Sequence, residues 1–376
     1  MPYYGANGQQ GLIDRALFDE PLILLAEDGG NFDDFATRPI AYRIDGPAWV
    51  NNHAHILRAR KGTDQSFLFW SLVHKDIRKY IAGGTRTKLT QAELRRVEVA
   101  VPQYDHQAKI AEVLDTLHAA IRGTEAVVAK LRAMKQGLLH DLLTRGIDAN
   151  GDLRPPQPEA PHLYHQTPLG WLPKEWEPRD VFSVSSTVTS GSRDWARYYA
   201  ENGAVFVRIG NLTREHVNLR LGSLIYVRPP MNADGQRTSL EAGDVLISIT
   251  ADLGIVGVIP EDFGEAYINQ HIALVRPNAN VINARFLGHF LASPVSQNHL
   301  SKLNDAGAKA GLNLPTIRGL PVMLPERSEQ DAIAERLDEI DGQIAGTLTE
   351  LAKLKSLKSG LMDDLLTGRV PVTPLL

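Results

Sequence analysis

The residues best suited to chemistry in this chain are amide, aromatic and basic side chains interleaved with glycine in predicted loops. The segment from Pro2 to Gly11, PYYGANGQQG, carries two tyrosines, one asparagine and two glutamines on a flexible backbone. Asn and Gln can pair two hydrogen bonds to adenine, Arg and Lys to guanine, and glycine-loop amides can meet phosphate. The pattern favours nucleic-acid contact, although a single loop equally fits an ordinary turn and a single charge a solvated surface.

Loops of this kind occur in both halves of the chain, so the candidate contact residues are spread widely. The candidates are Tyr3, Tyr4, Asn7, Gln9, Gln10, Asn52, Arg86, Lys88, Arg193, Arg208, Asn211, Arg237, Gln270 and Lys309. The net charge of −4 opposes tight nucleic-acid binding, because phosphate contacts come from Lys and Arg. The acidic residues concentrate after Glu326, however, which leaves the rest of the chain near neutrality.

Sequence motifs for catalysis are missing. The chain has no GxxxxGK[ST] phosphate loop, no GxGxxG after a strand, no HExxH, no GxSxG and no NPPY or DPPY segment. The absence of cysteine excludes disulfides, thiol nucleophiles and thiolate zinc sites. Four histidines occur as two close pairs, which are His53 with His55 and His162 with His165. No third ligand cluster accompanies them, so they are interpreted as strand-end hydrogen-bonding residues and loop residues.

The elements that must position these loops include one long helix that the chain contains twice. The first copy runs over residues 103–145, and Pro102 recurs as Pro325, 223 positions later, with residues 141–144 recurring as 364–367. No gap is needed. A repeat this widely spaced is not a solenoid, whose units recur every ~20–50 residues. It predicts two large modules that each end in the same helix.

Both helix copies carry a heptad seam of apolar residues. The seam includes Ile110, Leu114, Leu117, Ile121 and Leu131 in the first copy and Ile333, Leu337, Ile340, Ile344 and Leu354 in the second. Two helices with one seam in one chain most simply pack on each other, whereas the alternative is an amphipathic helix lying on each module. At ~1.5 Å per residue such a helix spans ~60 Å, which is typical of a spacer.

Composition gives broad limits only. A chain of 376 residues with 43% hydrophobic and 22% charged residues is ordinary soluble protein with two or more domains. No apolar run approaches the ~20 residues that cross a bilayer, and no signal peptide is recognisable. We therefore expect a cytoplasmic protein without a membrane segment.

The first module, residues 1–103, alternates apolar runs with turn signals. Residues 22–26 predict a buried strand, residues 67–80 have helical spacing, and residues 97–101 predict a final strand before Pro102. Residues 146–166 contain a Pro-Pro-Gln-Pro run and glycine or asparagine breaks, which predict a semi-extended linker.

The second module, residues 167–325, repeats this plan. Residues 245–249 correspond to the first strand run, residues 268–271 (INQH) to residues 50–53 (VNNH), and residues 286–303 to the first helix. In the gap-free register, position 224 aligns with Met1, so the segment from Thr167 to Ser223 has no counterpart in the first module. We expect the first module to be incomplete at its start, and a dimer or partner could complete it.

These motifs resemble the specificity subunits of type I restriction-modification systems. The resemblance is carried by PYYGANGQQGLID, LLAEDGGNF and WVNNHAHILRA in the first module. In the second it is carried by TPLGWLPKEWE, RIGNL and GDVLIS, and each helix copy has the same Pro, Gln and Ile start. It covers essentially the whole chain, and the combination of two modules with two repeated helices is specific although each motif alone is weak.

The resemblance implies an α+β fold with two target-recognition domains separated by two long antiparallel helices in a pseudo-two-fold repeat. The corresponding boundaries are 1–103, 104–145 for the first helix, 146–166 for the linker, 167–325, 326–368 for the second helix, and 369–376 for a tail. It implies a non-catalytic subunit that reads a bipartite double-stranded DNA target. Two modification subunits and motor-nuclease subunits would dock on it, so that S-adenosylmethionine, ATP and Mg are bound by partners and none by this chain. The outer helix faces, with Lys130, Lys135, Lys353 and Lys358, are predicted to meet those subunits.

Two other classes of function stay open from the residues alone. A coiled-coil adaptor would show no DNA affinity in its assembled complex and gives no reason for the paired glycine-rich polar loops. A stand-alone enzyme with an unfamiliar site would show turnover in the isolated chain. A neighbouring methyltransferase gene encoding NPPF or NPPY would favour the specificity reading.

Overall fold

The structure is a computed structural model that describes residues 1–81, 87–229, 233–305 and 312–372. The chain forms two compact units. Unit 1 comprises Met1–Val127 with Thr347–Leu376, and unit 2 comprises Val128–Gly346. The boundary between the units therefore falls within both long helices, so that each unit contains half of each helix.

Unit 1 is built on two small sheets and a helix that covers one of them. Its strands are β1 (Pro2–Gly5), β2 (Gly8–Leu12), β3 (Phe18–Asp19), β4 (Leu22–Ala26), β5 (Ala41–Ile44), β6 (Pro47–Val50) and β7 (Ala54–Leu57). Its helices are α1 (Gln65–Val73), α2 (Gln91–Leu94), the first part of α3 (Tyr104–Thr144) and the last part of α8 (Arg327–Leu366). The sheets have the orders β2-β1-β6-β3 and β5-β4-β7. Every residue of β4 is buried, which confirms the strand predicted there.

Three local predictions for the first module are wrong. The Pro2–Gly11 segment is an antiparallel hairpin of β1 and β2 rather than a flexible loop, because its glycines make the tight turn at Gly5↔Gly8. The predicted helix ends at Val73 and is followed by a separate 3₁₀ turn, Arg78–Tyr80. Residues 97–101 form no strand, because no strand among the described residues of unit 1 pairs with them.

Unit 2 has a richer set of strands. They are β8 (Tyr164–Thr167), β9 (Gly170–Pro173), β10 (Glu177–Asp180), β11 (Ser185–Ser190), β12 (Tyr199–Ala200), β13 (Ala204–Val207), β14 (Ile225–Val227), β15 (Val245–Ser248), β16 (Val256–Val258), β17 (Ala266–Ile268), β18 (Ile272–Pro277) and β19 (Pro321–Leu324). The helices are the last part of α3, α4 (Ala233–Thr238), α5 (Ala284–Ala292), α6 (Pro294–Asp305), α7 (Leu314–Arg318) and the first part of α8 (Arg327–Leu366). The sheets have the orders β12-β14-β13-β17, β11-β18-β15-β16, β10-β19 and β8-β9. The single helix predicted over 286–303 is two helices, because Pro294 lacks the N–H that would continue α5.

Strand pairing establishes which elements of the two units correspond. β1 pairs in parallel with β6, and β13 pairs in parallel with β17 in the same way. The backbone N–H of Asn51 donates to the Tyr4 carbonyl (2.9 Å). In the same way, the backbone N–H of Asn269 donates to the Val207 carbonyl (3.3 Å). β1 therefore corresponds to β13, which corrects the gap-free register that aligned Met1 with position 224. The part of unit 2 without a counterpart in described unit 1 ends before Ala204.

The same comparison explains why residues 97–101 form no strand. In unit 2 the equivalent strand, β19, pairs antiparallel with β10. β10 lies in the segment before Ala204 and has no counterpart among the described residues of unit 1. A β-prone sequence without a neighbouring strand has no ladder to join, so the local pattern alone could not make a strand.

The two long helices pack on each other, as the seam predicted, and they run antiparallel, as the family resemblance implied. In unit 1, Glu125 pairs with Lys355 at 2.7 Å, and in unit 2, Lys135 pairs with Asp341 at 2.5 Å. Numbers rise along one helix as they fall along the other. The ten seam residues predicted for the pair are all buried or partly buried, and none is exposed.

Each long helix starts with a repeated hydrogen-bonding device that explains its sequence signature. The Gln107 amide donates to the Pro102 carbonyl (2.7 Å), and its oxygen accepts from the backbone N–H of Asp64, the N-cap of α1 (2.9 Å). Gln330 does the same with Pro325 (2.9 Å) and with Asn283, the N-cap of α5 (2.8 Å). The Pro-x₄-Gln spacing therefore joins the start of each long helix to the start of the short helix of the same unit.

Residues 146–166 are packed on unit 2 and are not the semi-extended linker predicted. Ile147 is buried, and the Arg154 guanidinium contacts both carboxylate oxygens of Glu329 at 2.5 and 3.0 Å. Glu329 also accepts from the Ile147 backbone (2.9 Å) and from the Trp176 indole (3.2 Å). A buried carboxylate with this many donors fixes the segment in place, which proline content could not predict.

Candidate functional site

The same polar turn occurs in both units. It lies where a buried strand ends (β4 or β15), next to the end of a second strand (β6 or β17) that is followed by an Asn-x-His motif. In unit 1 the Glu27 amide donates to the His53 carbonyl (2.8 Å), and the Glu27 carbonyl accepts from the Leu89 amide (2.7 Å). In unit 2 the Ile249 amide donates to the His271 carbonyl (2.9 Å) and its carbonyl accepts from Leu312 (3.1 Å). We call residues 27–30 with 51–53, and 249–252 with 269–271, the twin turns of units 1 and 2.

A histidine occupies the centre of each twin turn. His53 Nδ1 lies 2.8 Å from an oxygen of Asp28, and His271 Nδ1 lies 2.7 Å from the Thr250 hydroxyl. The backbone N–H of each histidine donates to the side chain of the asparagine two residues earlier, Asn51 (2.9 Å) or Asn269 (3.2 Å). The geometry is thus repeated, while the side chain facing the imidazole changes from a carboxylate to a hydroxyl.

The backbone of the two turns is also the same. Gly29 has a φ of 62° and the equivalent Ala251 has a φ of 58°. A left-handed alanine is unfavourable by roughly 1–2 kcal/mol and persists only where its surroundings impose it. The strained residue therefore indicates that the turn, rather than the local sequence, dictates this conformation in unit 2.

The β1–β2 hairpin adds amide groups to the twin turn of unit 1. Asn7 donates to the Gly29 carbonyl (2.8 Å), and Gln10 accepts from the Asn51 amide (3.3 Å). The Tyr42 hydroxyl donates to the Gly5 carbonyl, and burial raises the pKa of Tyr42 to about 12, so it stays a neutral donor. Hydrogen bonds made by residues around the Gly5–Gly8 bend therefore hold the hairpin in place beside the turn.

Acidic side chains dominate the charge at the unit 1 turn. Lys88 Nζ lies 2.9 Å from a Glu27 oxygen, and Asp28 is paired with His53. His55 Nε2 lies 2.7 Å from the Leu89 carbonyl and its Nδ1 lies 3.7 Å from Glu27. Among the residues that the structure describes, the two carboxylates outnumber the single lysine, so the turn offers more acceptors than cations.

Arginines dominate at the unit 2 turn. Arg237 is held by the Thr189 hydroxyl (3.0 Å), the Ser190 carbonyl and the Ser192 hydroxyl, next to the bridge between Ser192 and Asn269. Arg193, the next residue, is exposed. Arg214 lies 2.5 Å from Asp252 in the turn. The unit 2 turn is therefore the more basic of the two and is better suited to phosphate.

Close backbone approach at unit 2 depends on one glycine. A Cβ on Gly191 would lie 2.0 Å from the Asn269 carbonyl oxygen. Only glycine fits there, and this brings the end of β11 with its serine and arginine side chains directly beside the Asn-x-His turn.

The structure brings several of the predicted contact residues together. In unit 1, Asn7, Gln10, Asn52 and Lys88 surround the twin turn, and the Tyr4 ring lies 6.2 Å from that of Tyr42 in the same sheet region. Tyr3, next to Tyr4 in β1, is partly buried. Gln9 is exposed on β2, where its amide donates to Gly11 (3.1 Å). In unit 2, Gln270 lies in the turn and Arg193 and Arg237 lie beside it.

The remaining candidates do not join these clusters. Asn211 is 2% exposed, and its amide accepts from Arg208 (2.9 Å) and donates to Arg220 (3.0 Å), so it organises its own loop and the predicted DNA contact is wrong. Arg208 is partly buried beside it. Arg86 and Lys309 lie outside the described residues.

Sequence reasoning missed the centre of each twin turn, which is formed by Asp28 and His53 in unit 1 and by Thr250 and His271 in unit 2. His53 and His55 make strand-end hydrogen bonds as predicted, whereas His165 lies in β8 rather than in a loop. The signal was the repeated Asn-x-His after a β-strand, in which the outer two residues hold the turn. Only the middle residue of each, Asn52 or Gln270, was selected.

Two further searches apply to the described residues only. Within those ranges no group of three or more His, Asp or Glu side chains is placed to hold a metal ion. None of the helices described has the length and apolar content needed to span a bilayer.

A module built twice around one polar turn, with different side chains on each copy, defines a protein that recognises two related but non-identical features. The comparisons give that class a specific family. The chain matches the Type I restriction modification DNA specificity domain over residues 1–132 and 173–356, which is most of its length. The chain therefore belongs to this family, and its role is DNA sequence specificity in a type I restriction-modification system.

Individual relatives agree with the family match. The MjaVIII type I restriction enzyme specificity subunit of Methanocaldococcus jannaschii is 22% identical over 320 residues, which cover 83% of this chain and 72% of that protein. A putative MjaX specificity subunit from the same organism is 22% identical over 325 residues, 84% of this chain and 71% of that protein. The crystal structure of the S subunit from M. genitalium aligns with a TM-score of 0.63 and 14% identity over 97% of this chain and 88% of that one, which shows a common fold.

Proposed function

We propose that each unit reads one half of a bipartite double-stranded DNA target through its twin turn. The observation that carries this proposal is the repetition of one hydrogen-bonded turn in both units with different polar side chains around it. A common scaffold supports a common way of docking, and the differing side chains support different half-site sequences. The adaptor alternative is not favoured, because the family match is to a DNA specificity domain.

The chain would act without catalysis of its own, inside a larger cytoplasmic complex. We infer that modification subunits supply adenine methylation and that motor-nuclease subunits join for restriction. S-adenosylmethionine, ATP and Mg would be bound by those partners. Lys130 and Lys353 are exposed at equivalent positions of the helix pair and are candidate contacts for the partners.

Lys135 and Lys358, which were predicted to meet partners, are used internally. Lys135 is 5% exposed, and its ammonium lies 2.5 Å from Asp341 and 2.5 Å from the Glu215 carbonyl. Lys358 is half-buried with its ammonium 4.6 Å from the centre of the Trp70 ring. Both lysines occupy positions at which the apolar seam is interrupted. They therefore lie on the packed face of the helix pair and not on its outer face.

The proposal is tested by replacing the middle amide of each twin turn, which is exposed in Asn52 and partly exposed in Gln270. Asn52→Ala should relax base preference in one half-site only, and Gln270→Ala should relax it in the other only. Each lost bidentate contact is worth roughly 1–3 kcal/mol of discrimination. The measurement is genome-wide mapping of methylated adenine in a methylation-free host that co-expresses the chain with its cognate modification subunits.

Asn280→Ala is the matched control, because Asn280 is an exposed amide beyond the opposite end of β18 from the turn. Copurification with the modification subunits checks that each variant assembles. If both turn variants assembled and kept the complete target, the twin turns would not be the reading surface.

A further inference from the structure

Gln270 is held by a chain of hydrogen bonds that its counterpart in unit 1 lacks. Its amide nitrogen lies 2.9 Å from His271 Nε2, and His271 Nδ1 lies 2.7 Å from the Thr250 hydroxyl. Among the described residues, Asn52 makes no side-chain hydrogen bond and is exposed. The unit 2 amide is therefore pre-positioned, whereas the unit 1 amide is not.

The donors and acceptors in this chain can be assigned from their chemistry. An amide nitrogen only donates, so His271 Nε2 must accept from Gln270, and in the neutral ring Nδ1 then carries the hydrogen. Nδ1–H donates to the Thr250 oxygen. With its nitrogen towards the ring, the Gln270 amide is held in one of its two orientations, and its second N–H and its carbonyl oxygen make no hydrogen bond with the described residues.

The supports of this chain are themselves fixed. The His271 backbone N–H donates to Asn269, and its carbonyl accepts from Ile249, so the ring is held from both sides of its peptide. Thr250 precedes the left-handed Ala251. A side chain held in this way loses little conformational entropy when it binds, which sharpens discrimination between bases.

A glutamine with a defined amide orientation has one preferred partner among the bases. Its carbonyl oxygen can accept from adenine N6 while its free N–H donates to N7, which is the bidentate pattern for adenine in the major groove. We propose that Gln270 reads an adenine in the half-site of unit 2, and that Thr250 and His271 are positioning residues that orient its amide. This inference rests on the proposed function of the twin turns.

The described part of unit 1 has no equivalent chain of hydrogen bonds. Asp28 replaces Thr250 as the partner of the histidine, and the amide of Asn52 is one methylene shorter and unrestrained. The two turns therefore read by different means although their backbones correspond, and the dependence on the hydroxyl should be confined to the half-site of unit 2.

The test uses the chain assembled with its cognate modification subunits and the same methylation mapping. Thr250→Val removes the hydroxyl while it keeps the shape of the side chain, and it should lower discrimination roughly ten-fold at one base pair. That base pair should be the one affected by Gln270→Ala. Thr250→Ser should restore the native preference. Gln270→Glu, which replaces the NH2 donor by a second acceptor oxygen, should shift preference from adenine towards cytosine, whose N4 donates.

The outcomes separate this inference from the proposed function. Suppose that Gln270→Ala and Asn52→Ala each relax one half-site but Thr250→Val matches the native protein. The positioning role of Thr250 is then wrong, while the proposal that the twin turns read DNA is supported. If Gln270→Glu keeps the adenine preference, the adenine assignment is overturned. If Thr250→Val impairs folding, the other two variants still test the inference. Loss of the native preference in Thr250→Ser would contradict the role of the hydroxyl, and Gln270→Glu tests the adenine assignment.

Discussion

Individual residues in this chain divide into those that face a ligand and those that hold a turn, and the type of side chain does not separate them. Asn52 and Asn211 are both amides in polar loops, yet one is exposed and the other is 2% exposed with its amide engaged. Which role applies depends on the backbone groups that folding brings near. For Asn211 these are the Arg208 amide and the Arg220 carbonyl.

The Arg154–Glu329 pair is expected to be a main determinant of the stability of unit 2. Both side chains are 9% exposed, and Arg154→Met would leave a buried carboxylate without its bidentate partner. Such a loss costs about 3–5 kcal/mol. Urea denaturation followed by tryptophan fluorescence should show it, since Trp176 also bonds to Glu329.

Arg179→Met is the control for this prediction, because Arg179 and Glu177 form an exposed pair in the same unit. Its cost should be ~0–1 kcal/mol. Equal effects of the two substitutions would mean that burial of the Arg154 pair contributes nothing.

At the scale of elements, each long helix is also joined to a short helix of its unit by a carboxylate about two turns beyond the glutamine at its start. Asp115 accepts from the Trp70 indole (3.0 Å) and pairs with Arg43 (2.7 Å). The equivalent Asp338 accepts from His289 (2.7 Å) and pairs with Arg285. Burial alone would raise the pKa of Asp338, but His289 and Arg285 together lower it to about 2.

The depressed pKa of Asp338 gives a pH dependence of definite sign. Its folded value lies below the ordinary value of 3.8, so the stabilisation is fully present above about pH 4 and is lost as pH falls towards 2. Asp338→Asn should therefore lower the free energy of unfolding by about 1–2 kcal/mol at pH 7, allowing for solvent screening of a partly exposed carboxylate. The difference from the native protein should vanish near pH 2. A difference that persists unchanged at pH 2 would show that lost geometry, not charge, is responsible.

The long helices and β4 could be predicted from sequence, because their periodicity is local and strong. The strand at residues 97–101 and the linker at 146–166 could not. The first depends on a neighbouring strand, and the second on Glu329, which lies 175 residues from Arg154. The centre of the site was missed for a similar reason, since Thr250 and His271 are brought together by strand pairing and not by spacing.

For the whole molecule, both long helices contribute to both units, so helix length is a property that the two modules share. Half-sites one helical turn apart are separated by ~34 Å on DNA. Removing one heptad from each helix, residues 127–133 and 345–351, leaves the Glu125–Lys355 and Lys135–Asp341 pairs in register. The number of unread bases between the half-sites should then change in the methylation map. An unchanged spacer would exclude the helix pair as the element that sets it.

The lysines of the seam make the two repeated helices chemically distinguishable. Lys135 is neutralised by Asp341, whereas at the equivalent place in unit 1 Lys358 and Trp70 lie beside His118, which holds the position of Asp341. Burial, and after it proximity to Lys358, lowers the pKa of His118. If α3 paired antiparallel with a second α3, Lys135 would meet that histidine instead of a carboxylate, twice. The charged residues of the seam thus favour the pairing of α3 with α8 and disfavour pairing between two copies of α3.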